Sequence, residues 1–316
     1  MTGPPAATAA LRVALRRSLT DLPSGAQVVA AVSGGADSLA LAAALGFERP
    51  GSHAFVVDHR LQAGSDAVAE RAAQTCRDLG LIATVLTAPE PTDDRQPDAG
   101  RQGPEGRART LRYGLLAKAA GDRGAVAVLL GHTLDDQAET VLLGLARGAG
   151  ARSLSAMAPV RELWRRPLLG IRRAQTRQAC LEAGLDPWQD PHNADPAYAR
   201  VRVRLEVLLV LERALGPGIA QALARTADQL REDADALDAM TTPTGDIATL
   251  AALPAALRSR SLKAWAEQGC GRPVTFAQVG ALRAMVEDWR GQGPVALPGG
   301  ASVRRTGSCL SLEAGD

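Results

Sequence analysis

The sequence predicts an α/β protein in which a parallel sheet is covered by helices on both faces and is followed by a smaller, mostly helical domain ending in a β-hairpin. Three observations predict it. Short apolar runs at residues 27–32, 53–57, 81–87 and 125–130 alternate with longer stretches of helical period, which is the pattern of βαβ units with right-handed crossovers. Glycine-rich or charged turns follow the first, second and fourth runs directly, where an open parallel sheet forms its ligand crevice. Beyond Gly216-Pro217-Gly218, the residues Ile219, Leu223, Ala227, Leu230, Ala234 and Leu237 recur at three- and four-residue steps, one apolar face of a long helix. The first part therefore reads as Rossmann-like, residues 1–210, and the second as a helical domain, residues 216–316.

Composition narrows the alternatives. Hydrophobic residues make up 46% and charged residues 22% of the 316-residue chain, ordinary usage for globular domains. Aromatics are only 3%, so the core must be built from Ala, Leu and Val, which suits helix-rich layers better than an aromatic-packed sandwich. A formal net charge of +2 does not announce a nucleic-acid surface, and any such surface must be local. Arginines do cluster at Arg161, Arg165, Arg166, Arg172, Arg173 and Arg177, and again at Arg200, Arg202 and Arg204; taken alone, this reads as a solvated helix surface. Cys76, Cys180, Cys270 and Cys309 form no CxxC pair, which points away from structural zinc and redox dithiols. No apolar run reaches membrane-span length and the first ten residues do not read as a leader, so a cytoplasmic protein without a membrane partner is expected.

The elements follow in order. Residues 11–20 have helical period, and Pro23, Ser24 and Gly25 break it before the strand at 27–32. Helix formers at 39–45 are stopped by Gly46; a strand at 53–57 leads to a helix at 66–79, closed by Gly80, and a third strand at 81–87. Residues 89–106 are rich in Pro, Asp, Gly and Gln without periodicity, which reads as a mobile loop near a site. A helix at 108–120, a strand at 125–130 and a helix at 135–145 come next, and the sheet ends near Leu168 and Leu169. Helical pattern returns at 174–183 and from Arg200 onward, and the chain closes with a hairpin around Gly299-Gly300.

Ser33-Gly34-Gly35-Ala36-Asp37-Ser38 lies where the first strand hands over to a helix, so backbone N–H groups and the positive helix end converge on an anion there. A Walker A loop would carry Lys after its last Gly, and here Ser and Asp stand instead. A carboxylate in a phosphate nest implies Mg²⁺ beside it. The string resembles the SGGxDS pyrophosphate loop of the PP-loop ATPases, which cleave ATP between the α and β phosphates and adenylate an oxygen.

Asp58-His59 with Leu61 ends the second strand and resembles the V-D-H-x-L segment of that family, placed beside the nucleotide; alone, it reads as a surface Asp and a hydrogen-bonded His. Glu105, Arg109 and Arg112 share one helix face, either an anion-holding face or an intrahelical ion-pair ladder, and Glu105 to Tyr113 resembles the E-x-x-A-R-x-x-R-Y pattern of lysidine synthetases. His132, Asp136 and Glu139 fall on one face of the helix after the fourth strand. Acids there are favoured by the helix dipole alone, but the string from Gly131 to Thr140 resembles the family's second motif.

The order of these segments, with Arg147 to Gly150, Leu154 to Met157, Arg166-Pro-Leu-Leu169, Trp188-Gln-Asp190 and Arg200, resembles the bacterial tRNA(Ile)-lysidine synthetases, a PP-loop ATPase family. The resemblance implies ATP-dependent addition of free L-lysine to the wobble cytidine of a CAU-anticodon tRNA(Ile), through an adenylated cytidine, with release of pyrophosphate and AMP. It implies nucleotide binding by Ser33, Gly34, Gly35, Ala36, Asp37, Ser38, Asp58 and His59, with Mg²⁺ on Asp37. Asp37, His132, Asp136, Glu139 and Arg109 are the expected catalytic set, and Arg109, Arg112, Asp136, Glu139 and Arg200 the expected substrate contacts. The arginine-rich segment after Arg161, together with Arg200, is expected to hold the anticodon arm. A tRNA thiolase of the same class and a nucleotide-dependent tRNA-binding module without catalysis are the competing readings, and a homodimer is left open.

Overall fold

The computed structural model describes residues 3–60, 64–89 and 104–314, with the backbone alone at residues 104, 105, 107 and 108. By contacts the chain divides into two units, Met1–Asp228 and Gln229–Asp316. In the first, α1 (Ala6–Ser18), β1 (Val28–Val32), α2 (Ala36–Glu48), β2 (His53–Asp58), α3 (Ser65–Asp78), β3 (Ile82–Thr87), α4 (Pro104–Asp122), β4 (Ala127–Leu130) and α5 (Leu134–Leu145) follow in turn. The short elements α6 (Ala151–Leu154), β5 (Val160–Arg161) and β6 (Trp164–Arg165) precede α7 (Arg173–Glu182) and α8 (Ala199–Arg202). A π-helical turn, Val203–Val207, then leads to α9 (Leu208–Leu215) and α10 (Ile219–Ala239), within which the two units meet in sequence.

The sheet has six strands in the order β3-β2-β1-β4-β6-β5. All pairs are parallel except β5 with β6. The order reverses between β1 and β4, whose carboxyl ends therefore flank the crevice where doubly wound sheets take their ligands. Alternation along β1 sends Val28, Ala30 and Val32 to one face, against Leu11, Leu15, Leu39, Leu41 and Leu45, and Val29 to the other, against Phe55, Leu116, Ala120 and Val128. Each such buried Val, Leu or Phe contributes about 1.5–3 kcal/mol. A sheet with both faces covered this way holds its strand ends rigidly, and Ser33 to Ser38, Asp58-His59 and Gly131-His132 lie at the ends of β1, β2 and β4.

Several boundaries differ from expectation: α2 begins at Ala36 rather than at 39, α4 begins at Pro104 inside the stretch expected as a loop, and the sheet ends at Arg165, short of Leu168. Gly46 does not stop α2, which continues to Glu48. A Cβ at Gly46 would stand 2.2 Å from the carbonyl oxygen of Leu79, so this glycine serves close packing of α2 on the end of α3. The expected loop at 89–106 lies mostly outside the described residues.

The second unit carries α11 (Ile247–Ala252), α12 (Ala255–Cys270), α13 (Phe276–Glu287) and the strands β7 (Val295–Ala296), β8 (Ser302–Thr306) and β9 (Cys309–Glu313). Asp246 caps α11 through the Thr249 N–H, and Thr275 with Gln278 forms a capping box on α13. Leu250, Leu262, Leu282, Met285 and Val303 form its core. The hairpin expected around Gly299-Gly300 is β7–β8, and β9 adds a third antiparallel strand after a second turn at Gly307.

Candidate functional site

The loop after β1 is built to leave its amides free. Gly34 has φ +83°, a conformation that costs a side-chain-bearing residue but not glycine. Gly35 is the N-cap of α2 and no side chain caps the first turn, so the N–H groups there are open to an anion. Ser38 turns back into the loop: its Oγ accepts from Ser33 N–H at 3.1 Å and donates to the Gly35 carbonyl at 2.9 Å. Trp188 N–H donates to the Gly34 carbonyl at 3.0 Å, and the Cys180 thiol reaches the Ala36 carbonyl at 3.3 Å. From the other side Gly131 comes so close that a Cβ on it would stand 3.0 Å from backbone atoms of Asp37 and Ser38.

Beside this loop lies an acidic group. Asp136 closes a capping box on α5, its Oδ2 accepting from the N–H and the hydroxyl of Thr133, both at 2.8 Å. Its Oδ1 faces Arg173 Nη2 at 2.7 Å. Glu139, one turn on and fully buried, takes Arg173 Nη1 on Oε1 at 3.0 Å and Arg204 Nε on the same oxygen at 2.8 Å, with Arg204 Nη2 on Oε2 at 3.2 Å. Asp37 stands 3.5 Å from Arg173 Nε and accepts a short hydrogen bond from the Thr176 hydroxyl. Arg200 Nη1 lies 3.8 Å from Glu139 and 4.0 Å from Asp136.

Burial raises the Asp37 carboxyl above its ordinary range despite Thr176 and Arg173. Burial pushes Asp136 the same way, but Arg173 and the N–H and hydroxyl of Thr133 more than offset it and hold Asp136 below the usual range. The three acids in turn overcome burial at Arg173 and hold its guanidinium firmly protonated.

Across from the acids the character reverses. His132 Nδ1, His59 Nδ1 and Arg166 Nε are buried without a hydrogen-bond partner among the described residues. Burial, with Arg166, Arg109 and Arg112, pushes His132 down to about 3 against the pull of Asp136, so the ring is neutral. Burial and Arg112 lower His59 in the same sense. Arg109 Nη2 meets the Tyr113 hydroxyl at 3.3 Å, and the Tyr113 ring meets Trp164 edge-on at 4.5 Å. Asp58 is buried at the end of β2 and accepts from Arg60 N–H at 2.9 Å. A cationic side and an acidic side thus join at the start of α5; His132, expected from its spacing on the helix face of Asp136 and Glu139, lies instead in the turn before the Thr133 N-cap.

Of the residues expected from the sequence, Ser33 to Ser38 form the loop, Asp37, Asp136, Glu139 and Arg200 gather at the acidic side, and His59, His132, Arg109 and Arg112 at the cationic side. The side chain of Glu105 lies outside the described residues. The arginine cluster is not one surface. Arg165 holds both carboxylate oxygens of Asp21 at 2.6 and 2.7 Å, and Arg166 donates to the Ala158 carbonyl. Arg172 holds Asp135, and Arg173 and Arg204 turn into the acids, while Arg161 and Arg177 are exposed. Sequence reading missed Arg173, Thr176 and Trp188 as site residues. The spacing of Arg173, Thr176 and Cys180 along one face of α7 was the available signal, but their partners are 34 to 144 residues away. Among the described residues no group of three or more His, Cys, Asp or Glu could hold a metal ion unaided.

Comparison with known proteins agrees with this geometry. The family model of the PP-loop domain matches residues 10–211, and that of the TilS substrate binding domain matches residues 246–311. A tRNA(Ile)-lysidine synthase of Rhodococcus erythropolis is 50% identical over 307 residues, 94% of this chain and 91% of the relative. That of Thermobifida fusca is 49% identical over 322 residues, 96% of this chain and 97% of the relative. Among solved structures, the U34-tRNA thiolase NcsA from Methanococcus maripaludis is similar with TM-score 0.59 and 19% identity, covering 72% of this chain and 80% of that one; the likeness extends to the fold. With half of its residues identical to theirs over nearly its whole length, and with an ATP-binding PP-loop at the reversal of its sheet, the chain belongs to the tRNA(Ile)-lysidine synthase family.

Proposed function

We infer that the protein is an ATP-dependent ligase that joins free L-lysine to the wobble cytidine of CAU-anticodon tRNA(Ile), forming lysidine through an adenylated cytidine with release of pyrophosphate and AMP. The observation that carries this is the meeting, in one crevice, of an uncapped phosphate loop with a buried acidic pair on α5. The cytosine C2 oxygen leaves poorly by itself and needs esterification to phosphate first. The α-phosphorus is attacked by that oxygen while the loop amides from Ser33 to Ser38 hold the departing pyrophosphate. The lysine side-chain amine then attacks C2 and AMP leaves.

The residues divide this work by charge. Arg109 faces the nucleotide's negative charge, with Asp58 and His59 beside it, and neutral His132 offers Nδ1 as a hydrogen-bond partner at the reacting centre. Asp136 and Glu139 suit lysine's ammonium groups, Arg109 or Arg112 its carboxylate, and Arg200 the edge of the substrate site. Asp37, a single partly exposed carboxylate at the loop, fits Mg²⁺, which takes one or two carboxylates and draws its remaining ligands from phosphate and water; bound there it would supply neutralisation of the leaving charge. We assign catalysis to residues 1–210 and tRNA binding to residues 216–316, which include the stretch matching the TilS substrate binding domain. Among the described residues no single helix is long and apolar enough to cross a membrane, in keeping with a cytoplasmic setting.

Sulfur transfer is the weaker reading. Burial pushes the thiols of Cys76 and Cys180 up to about 11, which leaves them poor nucleophiles at neutral pH. The test is incubation with ATP, radiolabelled lysine and CAU-anticodon tRNA(Ile). Label is expected in the RNA with stoichiometric AMP; formation of ADP, or no label, would overturn the assignment.

A further inference from the structure

Arg173 occupies the place that the proposed reaction needs for lysine. Its guanidinium takes Asp136 Oδ1 at 2.7 Å and Glu139 Oε1 at 3.0 Å, while Thr133 holds Asp136 Oδ2 and Arg204 holds both oxygens of Glu139. An ammonium group cannot approach these carboxylates closely until a guanidinium leaves. The same side chain reaches toward the phosphate loop, where its Nε stands 3.5 Å from Asp37, its longest and weakest ionic contact. A triphosphate in that loop brings several negative charges beside a side chain whose planar fork pairs with phosphate as well as with carboxylate.

We propose that Arg173 exchanges partners during the cycle, moving from Asp136 and Glu139 to the triphosphate when nucleotide binds, so that nucleotide binding opens the ammonium site to lysine. The inference rests on the ligase reading and adds to it a coupling residue between its two small substrates. Two substrates sharing one guanidinium in this way bind with positive cooperativity, and the coupling is reciprocal: lysine tightens the nucleotide by the same factor as the nucleotide tightens lysine.

The experiment is equilibrium binding without tRNA, by calorimetry, of lysine with and without the non-cleavable α,β-methylene analogue of ATP plus magnesium, and of the analogue with and without lysine. In the unaltered protein both dissociation constants should fall by the same factor, on the order of tenfold. In Arg173→Gln both ratios should approach one, with lysine alone binding more tightly than to the unaltered protein. Arg173→Lys, which keeps the charge but cannot span three acids, should give a ratio between the two and serves if the Gln variant does not fold. Absence of lysine binding, absence of coupling in the unaltered protein, or an unchanged ratio in either variant overturns the proposal. Transfer of label to tRNA is measured on the same preparation. Transfer without coupling defeats the partner exchange alone, and coupling without transfer supports the exchange while removing the ligase assignment.

Discussion

Glu139 and Arg204 form a two-pronged ion pair in which the carboxylate is fully buried, with Nε on Oε1 at 2.8 Å and Nη2 on Oε2 at 3.2 Å. The π-helical turn Val203–Val207 carries Arg204 to this position, and such bulges recur at functional sites. Removing one partner of a buried pair leaves the other charge uncompensated. Glu139→Ala should therefore cost about 3–5 kcal/mol of unfolding free energy, and Glu139→Gln, which keeps the shape, distinctly less. Both should raise the apparent KM for lysine. Urea unfolding and lysine titration check this, and an Ala variant as stable as the parent would contradict it.

Gly131, just beyond β4, permits the close approach of that strand end to the start of α2. A methyl group there meets backbone atoms of Asp37 and Ser38 at 3.0 Å, and backbone, unlike a side-chain tip, has little room to yield. Gly131→Ala should destabilise by about 1–3 kcal/mol and raise the KM for ATP more than that for lysine. Equal effects on the two substrates would argue that the loop is not what the glycine protects.

Ser38 holds the loop closed by satisfying the Ser33 N–H and the Gly35 carbonyl at once. Ser38→Ala removes both bonds at the half-exposed loop and should cost about 0.5–1.5 kcal/mol. Nucleotide affinity should fall with it, whereas Ser38→Thr should retain much of both. Fluorescent nucleotide binding separates the two variants.

The neutral state of His132 makes a prediction about pH. Its folded value is pushed down to about 3 from an ordinary 6.5, so within that window the unfolded chain binds a proton that the folded chain refuses. Stability from this group is therefore full above the ordinary value and is lost as pH falls through the window. His132→Asn should make the dependence of unfolding free energy on pH shallower between about pH 4.5 and 6.5. The slope should persist in part because His59 is shifted the same way. An unchanged slope would mean that His132 is protonated in the folded protein.

The arginines separate by what they touch. Arg165, clamped on Asp21, should lower stability when changed to Ala while leaving the salt dependence of tRNA binding as it was. Exposed Arg161 and Arg177 should do the reverse, each reducing the slope of log K against log salt by about 0.7–1 if it meets a phosphate. Filter binding over a salt series distinguishes them.

Much of the fold was legible because its signals are local. The strand at 27–32, the turn at Ser33 to Ser38 and the helix after it are written within neighbouring residues, and so is the capping of α5 by Thr133 and Asp136. Gly46 was misread because a glycine that ends a helix and one that lets another backbone approach look alike until the neighbour, here Leu79, is known. Arg165 and Arg173 depart from the expected solvated surface for the same reason: nothing near them in the chain shows that Asp21 and Asp136 are waiting in space.

By itself the sequence determined which residue types the strand ends carry, since hydrophobic period, turn glycines and the one-turn spacing of Asp136 and Glu139 are properties of short segments, whereas His132, expected on the same helix face, stands before the Thr133 N-cap. Only the tertiary structure decided which charges meet. Arg173 is held by Asp37, Asp136 and Glu139 from two different helices, and an ion pair buried in a low-dielectric crevice depends on distance and desolvation, which close packing of distant segments sets and sequence separation does not encode.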